Sequence, residues 1–224
     1  MASPSIQRPS SSSTSHPQWS YDVFLSFRGE DTCISFTDHL YSALIRNNIN
    51  TFRDDEELRR GEEIAQELLT AIEESRSAII VFSKTYAHSK WCLEELVKIM
   101  KCKEEREQMV VIPIFYHVDP SEVRNQTGAY GEAFTHHEEN TDEERKEKIR
   151  KWKTALRQAS NLAGYDAKNR HDCGVFVMKF MELWSMGGFS KSIDVGKLKH
   201  YRLKIMGSML FSAQNAHRDR VRRY

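Results

Sequence analysis

Hydrophobic positions along the chain fall into short solid runs, separated by longer stretches in which apolar residues recur every three or four positions. Tyr21 to Phe27 (YDVFLSF) is a run of aromatic and aliphatic residues and predicts a buried strand. Phe36, Leu40 and Leu44 then recur at helical spacing and predict a helix with one apolar face. The alternation repeats: Ile49 to Arg53 predicts a short strand, Asp54 to Gly61 a charged loop, and Ile64, Leu68 and Ile72 a second helix. Ser77 to Ser83 (SAIIVFS) predicts a central strand, Leu93, Leu96, Val97 and Met100 a third helix, and Met109 to Phe115 (MVVIPIF) a fourth strand. Residues 117–137 predict a loop and short helix broken by Pro120, Gly128 and Gly131; Ile149, Trp152, Leu156 and Ala159 mark a helix from about Thr141 to Ala163. Such alternation specifies an α/β fold with a central parallel sheet flanked by helices. A fifth short strand has no position that the pattern fixes. Sheets of this kind bind ligands beyond the carboxyl ends of their strands, here the loops after Phe27, Arg53, Ser83 and Phe115.

Composition narrows the classes. A length of 224 residues corresponds to one full domain and a remainder, and 39% hydrophobic with 10% aromatic residues is enough to fill a core. Thirty-three Lys and Arg against thirty-two Asp and Glu give a net charge of +1, which favours neither a nucleic-acid nor a membrane partner. The average hides an asymmetry: residues 171–224 hold ten basic and four acidic side chains, and the rest of the chain is net acidic. Residues 1–20, with serines at 10 to 13 and 15, no acid and Arg8, predict a disordered leader rather than a plastid transit peptide. Cysteines 33, 92, 102 and 173 form no CxxC pair and have no His at zinc-ligand spacing, so neither a disulfide scaffold nor a metal site is expected. With no apolar stretch of membrane-spanning length and no signal-peptide core, the expectation is a soluble, cytoplasmic protein in a reducing compartment. No GxGxxG or GxxxxGK[ST] occurs, which removes the sequence basis for Rossmann dinucleotide binding and P-loop ATP hydrolysis.

The strings YDVFLSFRGEDT (21–32), LRRGEEI (58–64), SAIIVFSKTYAHSKWCLEEL (77–96) and PIFYHVDPSEVRNQTGAYGEAF (113–134) closely resemble plant TIR domains, the N-terminal domains of many intracellular immune receptors. The resemblance runs in order from about Tyr21 to Gly164 and implies a TIR domain over residues 21–166 with a flavodoxin-like α/β fold. It also implies NAD glycohydrolase activity in plant defence signalling: cleavage of the nicotinamide–ribose bond of NAD or NADP as substrate, with no cofactor and no metal. The glutamate four residues after the tryptophan of the WCLxEL motif falls on Glu95, implied to be catalytic. Trp91 matches the aromatic that stacks beside the substrate, Phe27, Arg28 and Gly29 match the strand-end segment lining the pocket, and Asp54 to Gly61 the loop that covers it. Asp38 and His39 match a helix that packs on the same helix of another copy, so other TIR domains are the implied partners.

The implied chemistry needs one carboxylate, because neutral nicotinamide leaves without being protonated. Glu95 would hydrogen-bond the ribose hydroxyls and stabilise the oxocarbenium-like charge as the bond lengthens. Arg28 can fork onto a phosphate, and the Trp91 indole offers a stacking face. Read without the resemblance, Glu95 is a solvated carboxylate on a helix surface, Trp91 a core residue, Arg28-Gly29-Glu30 a helix start and His39 an exposed helical histidine. The mixed charges from Glu138 to Lys148 read as a solvated helix face.

Residues 171–184 (HDCGVFVMKFMELW) resemble the nucleophile segment of Ulp1-type cysteine proteases, which process ubiquitin-like modifiers. Cys173 would open an apolar helix there. The catalytic His and Asp of that family lie far upstream of the cysteine, where this chain instead matches TIR, so Cys173 reads as a relict nucleophile and residues 171–224 as a partly helical, truncated fragment ending in a solvated basic tail, with nuclear import the less favoured reading of that tail. The sequence therefore carries three functions in order of preference: a TIR NAD hydrolase, a non-catalytic TIR interaction module using the His39 helix and residues Gly128 to Phe134, and a cysteine protease.

Overall fold

Short segments that favour extended backbone pair side by side in this computed structural model, which describes residues 19–29, 36–53, 66–139 and 142–167. The strands are β1 (Tyr21–Phe27), β2 (Thr51–Arg53), β3 (Ser75–Phe82), β4 (Val110–Tyr116) and β5 (Tyr165–Ala167). They form one sheet in the order β2-β1-β3-β4-β5 with every neighbouring pair parallel. Phe27 sits opposite Val81, and Ile114 opposite Tyr165. The fifth strand thus exists at the sheet edge. Three residues (YDA) carry too little pattern to announce it, and pairing with β4 is what makes them a strand.

Among the described residues the connecting helices are α1 (Asp38–Arg46), α2 (Gln66–Glu73), α3 (Lys90–Glu105), α4 (Pro120–Asn125), α5 (Gly128–Glu138) and α6 (Glu143–Ser160), with a 3-10 turn at Tyr86–His88. The segment expected to be a loop with one short helix holds two helices. Asp119 caps α4 by accepting the Ser121 N–H at 2.7 Å, and Pro120 occupies the first turn, where no amide hydrogen is needed. Gln126 (φ 50°) and Gly128 (φ 55°) then turn left-handed and set α5 off on its own course. Of the residues read as breakers, Pro120 and Gly128 are helix boundaries, whereas Gly131 lies inside α5 and does not interrupt it. On α6, ion pairs such as Glu143–Lys146 and Glu147–Arg150 line the exposed face as the charge pattern predicts.

Successive strand residues point to opposite faces, and both faces are covered, so β1 and β3 read as solid apolar runs. On one side Phe24, Ile80 and Phe82 pack with Leu68 and Ile72 of α2, Leu93, Leu96 and Ile99 of α3 and Trp152 and Leu156 of α6. On the other Val23, Leu25, Phe27, Ile79 and Val81 pack with Phe36, Leu40 and Leu44 under α1. By this alternation Ser26 shares the side of Phe24, the side that α3 covers.

Candidate active site

The sheet order reverses between β1 and β3, with α1 on one face and α2 on the other, and parallel sheets of this order place ligands beyond the carboxyl ends of the strands at such a point. Three local features converge there: the end of β1 with Ser26, Phe27 and Arg28; the turn Tyr86–His88 that follows β3; and the first two turns of α3. Ser89 fixes the start of α3, its hydroxyl accepting the Cys92 N–H at 3.2 Å. Trp91 and Glu95 follow four residues apart, hence on one side of the helix.

Glu95 is not a solvated surface group: it is 2% exposed. Its neighbours on the helix explain this, because Cys92, Leu96 and Ile99 form the buried stripe and a residue at 95 falls within it. The Ser26 hydroxyl donates to Glu95 Oε2 at 2.6 Å. Ser26 Oγ also lies 3.0 Å from the Tyr86 hydroxyl, which donates to the Cys92 carbonyl at 3.0 Å. Burial holds the Tyr86 phenol well above its ordinary pKa of 10.0, and the neighbouring Cys92 and Glu95 push the same way, so Tyr86 is a neutral donor throughout the physiological range. The Cys92 thiol contacts the Phe27 carbonyl at 3.4 Å, which ties the helix start to the strand end.

The other residues singled out from the sequence divide. Phe27 is buried, with the Arg53 guanidinium 5.5 Å from its ring centre. Arg28 is half-buried and donates through one nitrogen to the Thr85 carbonyl at 2.6 Å, which ties the end of β1 to the turn after β3. Gly29 has open space where a Cβ would stand. Trp91 is half-buried against the α3 side of the core, so one indole face packs. These residues gather with Glu95 at one strand end. Asp38 and His39 lie on α1, on the opposite side of the sheet: His39 is exposed, and Asp38 pairs with Arg53 at 2.6 Å. Cys173 and the covering loop Asp54 to Gly61 lie outside the described residues.

The sequence pattern of the TIR domain matches residues 20–197. The chain belongs to the TIR domain family. The match runs past β5 and over residues 171–197 of the segment whose sequence resembles an Ulp1 fragment. Disease resistance protein RPV1 of Vitis rotundifolia is 63% identical over 168 residues, 74% of this chain and 12% of that protein. TMV resistance protein N of Nicotiana glutinosa is 56% identical over 153 residues, 68% of this chain and 13% of that protein. The chain therefore spans only a small part of the length of these curated relatives. Among solved structures, the TIR domains of the activated Roq1 resistosome, which directly recognises the pathogen effector XopQ, superpose with a TM-score of 0.66 at 49% identity, covering 73% of this chain and 98% of that one.

Within this TIR domain two participants escaped the sequence reading. Ser26 is the polar interruption in an apolar strand, VFLSF, and Tyr86 is a fully buried aromatic in an otherwise polar stretch, SKTYAHSK. The break in the apolar run was a usable signal for Ser26; nothing local marks Tyr86. Among the described residues no group of three or more His, Cys, Asp or Glu could hold a metal, and no helix is long and apolar enough to cross a membrane. Cys92 and Cys102 are buried thiols not joined in a disulfide. A hollow of about 500 Å³ lies elsewhere, between His88, Lys90, His136, His137 and Arg145, with Glu139 among its lining residues. The carboxylate blunts its positive charge.

Proposed function

We propose that this TIR domain is an NAD glycohydrolase that cleaves the nicotinamide–ribose bond of NAD or NADP and acts in plant defence signalling from the cytoplasm. The observation that carries the reading is a buried carboxylate at the point where strand order reverses, oriented by Ser26 and one helical turn from a half-buried tryptophan. A carboxylate withdrawn from water stabilises a developing oxocarbenium charge far better than an exposed one. Nicotinamide departs with the electron pair of the broken bond and needs no acid. Phe27, Arg28 and Gly29 would line the nucleotide pocket, and Gly29 leaves room for backbone to approach a phosphate.

Self-association belongs to the same proposal. The Roq1 TIR domains that this chain resembles are part of an assembled resistosome, and the exposed His39 on α1 offers a contact to a second TIR domain. Residues 171–184 keep their Ulp1-like resemblance as a relic in this reading, so Cys173→Ser is expected to leave NAD turnover within about twofold.

The test is nicotinamide release from NAD by the purified chain at several protein concentrations. Turnover rising faster than linearly, weakened by His39→Ala and reduced at least about 100-fold by Glu95→Gln, is expected. No release at the highest concentration would leave a TIR interaction module as the function.

A further inference from the structure

The three oxygen contacts around Glu95 contain an imbalance. Ser26 and Tyr86 have one hydroxyl hydrogen each, yet Ser26–Glu95 (2.6 Å), Ser26–Tyr86 (3.0 Å) and Tyr86–Cys92 carbonyl (3.0 Å) are all within bonding distance. With Glu95 ionised, Ser26 donates to the carboxylate and Tyr86 to the carbonyl, and the Ser26–Tyr86 contact holds no hydrogen of its own. With Glu95 protonated, a third hydrogen enters and the chain completes: carboxyl to Ser26, Ser26 to Tyr86, Tyr86 to the Cys92 carbonyl.

We propose that Ser26 and Tyr86 are positioning residues that hold Glu95 in both its ionised and its protonated state, reversing the Ser26 hydroxyl as the proton arrives or leaves. The inference rests on the glycohydrolase reading for its role. As the bond from ribose C1′ to nicotinamide breaks, the electron pair leaves on the pyridine nitrogen. A water oxygen bonds C1′ and gives a proton to Glu95, which later releases it to solvent, so NAD and water become nicotinamide, ADP-ribose and one proton. The carboxyl must therefore remain in position while it carries that proton. Ser26 is 1% exposed and Tyr86 is fully buried, so the described protein, not bulk water, supplies their partners. Besides Glu95, the titratable groups that act on Tyr86 are Cys92, whose thiol contacts the Phe27 carbonyl, and Tyr130, which donates to the Ser83 carbonyl at 2.9 Å; Arg28 donates to the carbonyl of Thr85, the residue before Tyr86.

The proposal predicts opposite effects of two small substitutions. Ser26→Ala removes a charge-assisted donor from the ionised carboxylate, so Glu95 should hold its proton to a pH about one unit higher. Tyr86→Phe removes the acceptor that Ser26 needs only when Glu95 is protonated, so the midpoint should fall by about half to one pH unit. Mere loosening of the packing would admit water and lower the midpoint in both variants.

The measurement is carboxyl titration by NMR on the full chain with ¹³C-labelled glutamate, the Glu95 signal identified by its loss in Glu95→Gln, with the acid limb of the kcat profile followed in parallel. A rise in Ser26→Ala with a fall in Tyr86→Phe supports the pair. Shifts of the same sign, no shift, or a Glu95 that does not titrate in any of the three proteins while the fold persists overturns it. If Ser26→Ala does not fold, Ser26→Cys, a weaker donor, should give a smaller rise. Because the titration is read without substrate, absent nicotinamide release would sink the glycohydrolase reading and leave the hydroxyl pair standing or falling on its own result.

Discussion

Replacing Glu95 by Gln and by Ala separates what the side chain does as a charge from what it does as a packed, hydrogen-bonded group. Both variants remove the charge, so the relief from no longer burying a carboxylate cancels when one is compared with the other. Gln keeps the volume and an oxygen that can accept from Ser26; Ala loses both. The 2.6 Å bond from Ser26 is replaced in the Ala variant by donation to Tyr86 at 3.0 Å, which holds that penalty to about 1 kcal/mol. The space left beyond Cβ, at a position 2% exposed and flanked by Cys92, Leu96 and Ile99, adds roughly 1–2 kcal/mol. Glu95→Ala should therefore be less stable than Glu95→Gln by about 2–3 kcal/mol. A domain of this size loses roughly 2–4 °C per kcal/mol, so the gap in Tm is about 4–12 °C. Thermal and urea unfolding of the two variants side by side measure it. Midpoints within about 1 °C of each other would place the carboxyl on a solvated helix face, as the sequence pattern suggests, and sink the burial argument along with the site built on it.

Arg53→Ala should cost about 2 kcal/mol, because it removes the ion pair to Asp38 together with ring contacts to Phe27 and Tyr41 at 5.5 and 5.2 Å; Arg53→Lys should recover less than half, since an ammonium cannot lie flat on both rings, and full recovery in urea unfolding would contradict this. Gly164→Ala places a Cβ 2.7 Å from the Phe115 ring and 2.8 Å from the Pro113 carbonyl oxygen, so the turn into β5 must shift; a loss of about 2–4 kcal/mol is expected, and an unchanged melting temperature would show that the approach is looser than this. Burial lowers the His137 pKa below its ordinary 6.5 despite the bond to the Ala87 carbonyl at 2.8 Å. The folded state then binds fewer protons than the unfolded one, so the stabilisation is complete above pH 6.5 and declines as pH falls from there through the lowered value. His137→Gln should flatten that slope, and an unaltered slope would assign it to another group.

The strand and helix order was legible in the sequence because it depends on local patterning: solid apolar runs such as YDVFLSF and SAIIVFS can only be strands buried on both faces, and Leu68–Ile72 or Leu40–Leu44 spacings only helices with one face inward. The WCLEEL string likewise marked Trp91 and Glu95 as belonging together. What that string could not determine was which way Glu95 points. A glutamate between leucines on a helix is solvated or buried according to what lies across from it, and Ser26 is 69 residues away in the chain. Tyr86 joins the pair through the same accident of sheet order, which sets β1 beside β3, and β5 becomes a strand by finding the free edge of β4. Periodicity records the environment each residue prefers. Only the packing of distant segments supplies the partner that lets a carboxylate, or a three-residue strand, persist where local preference would not put it.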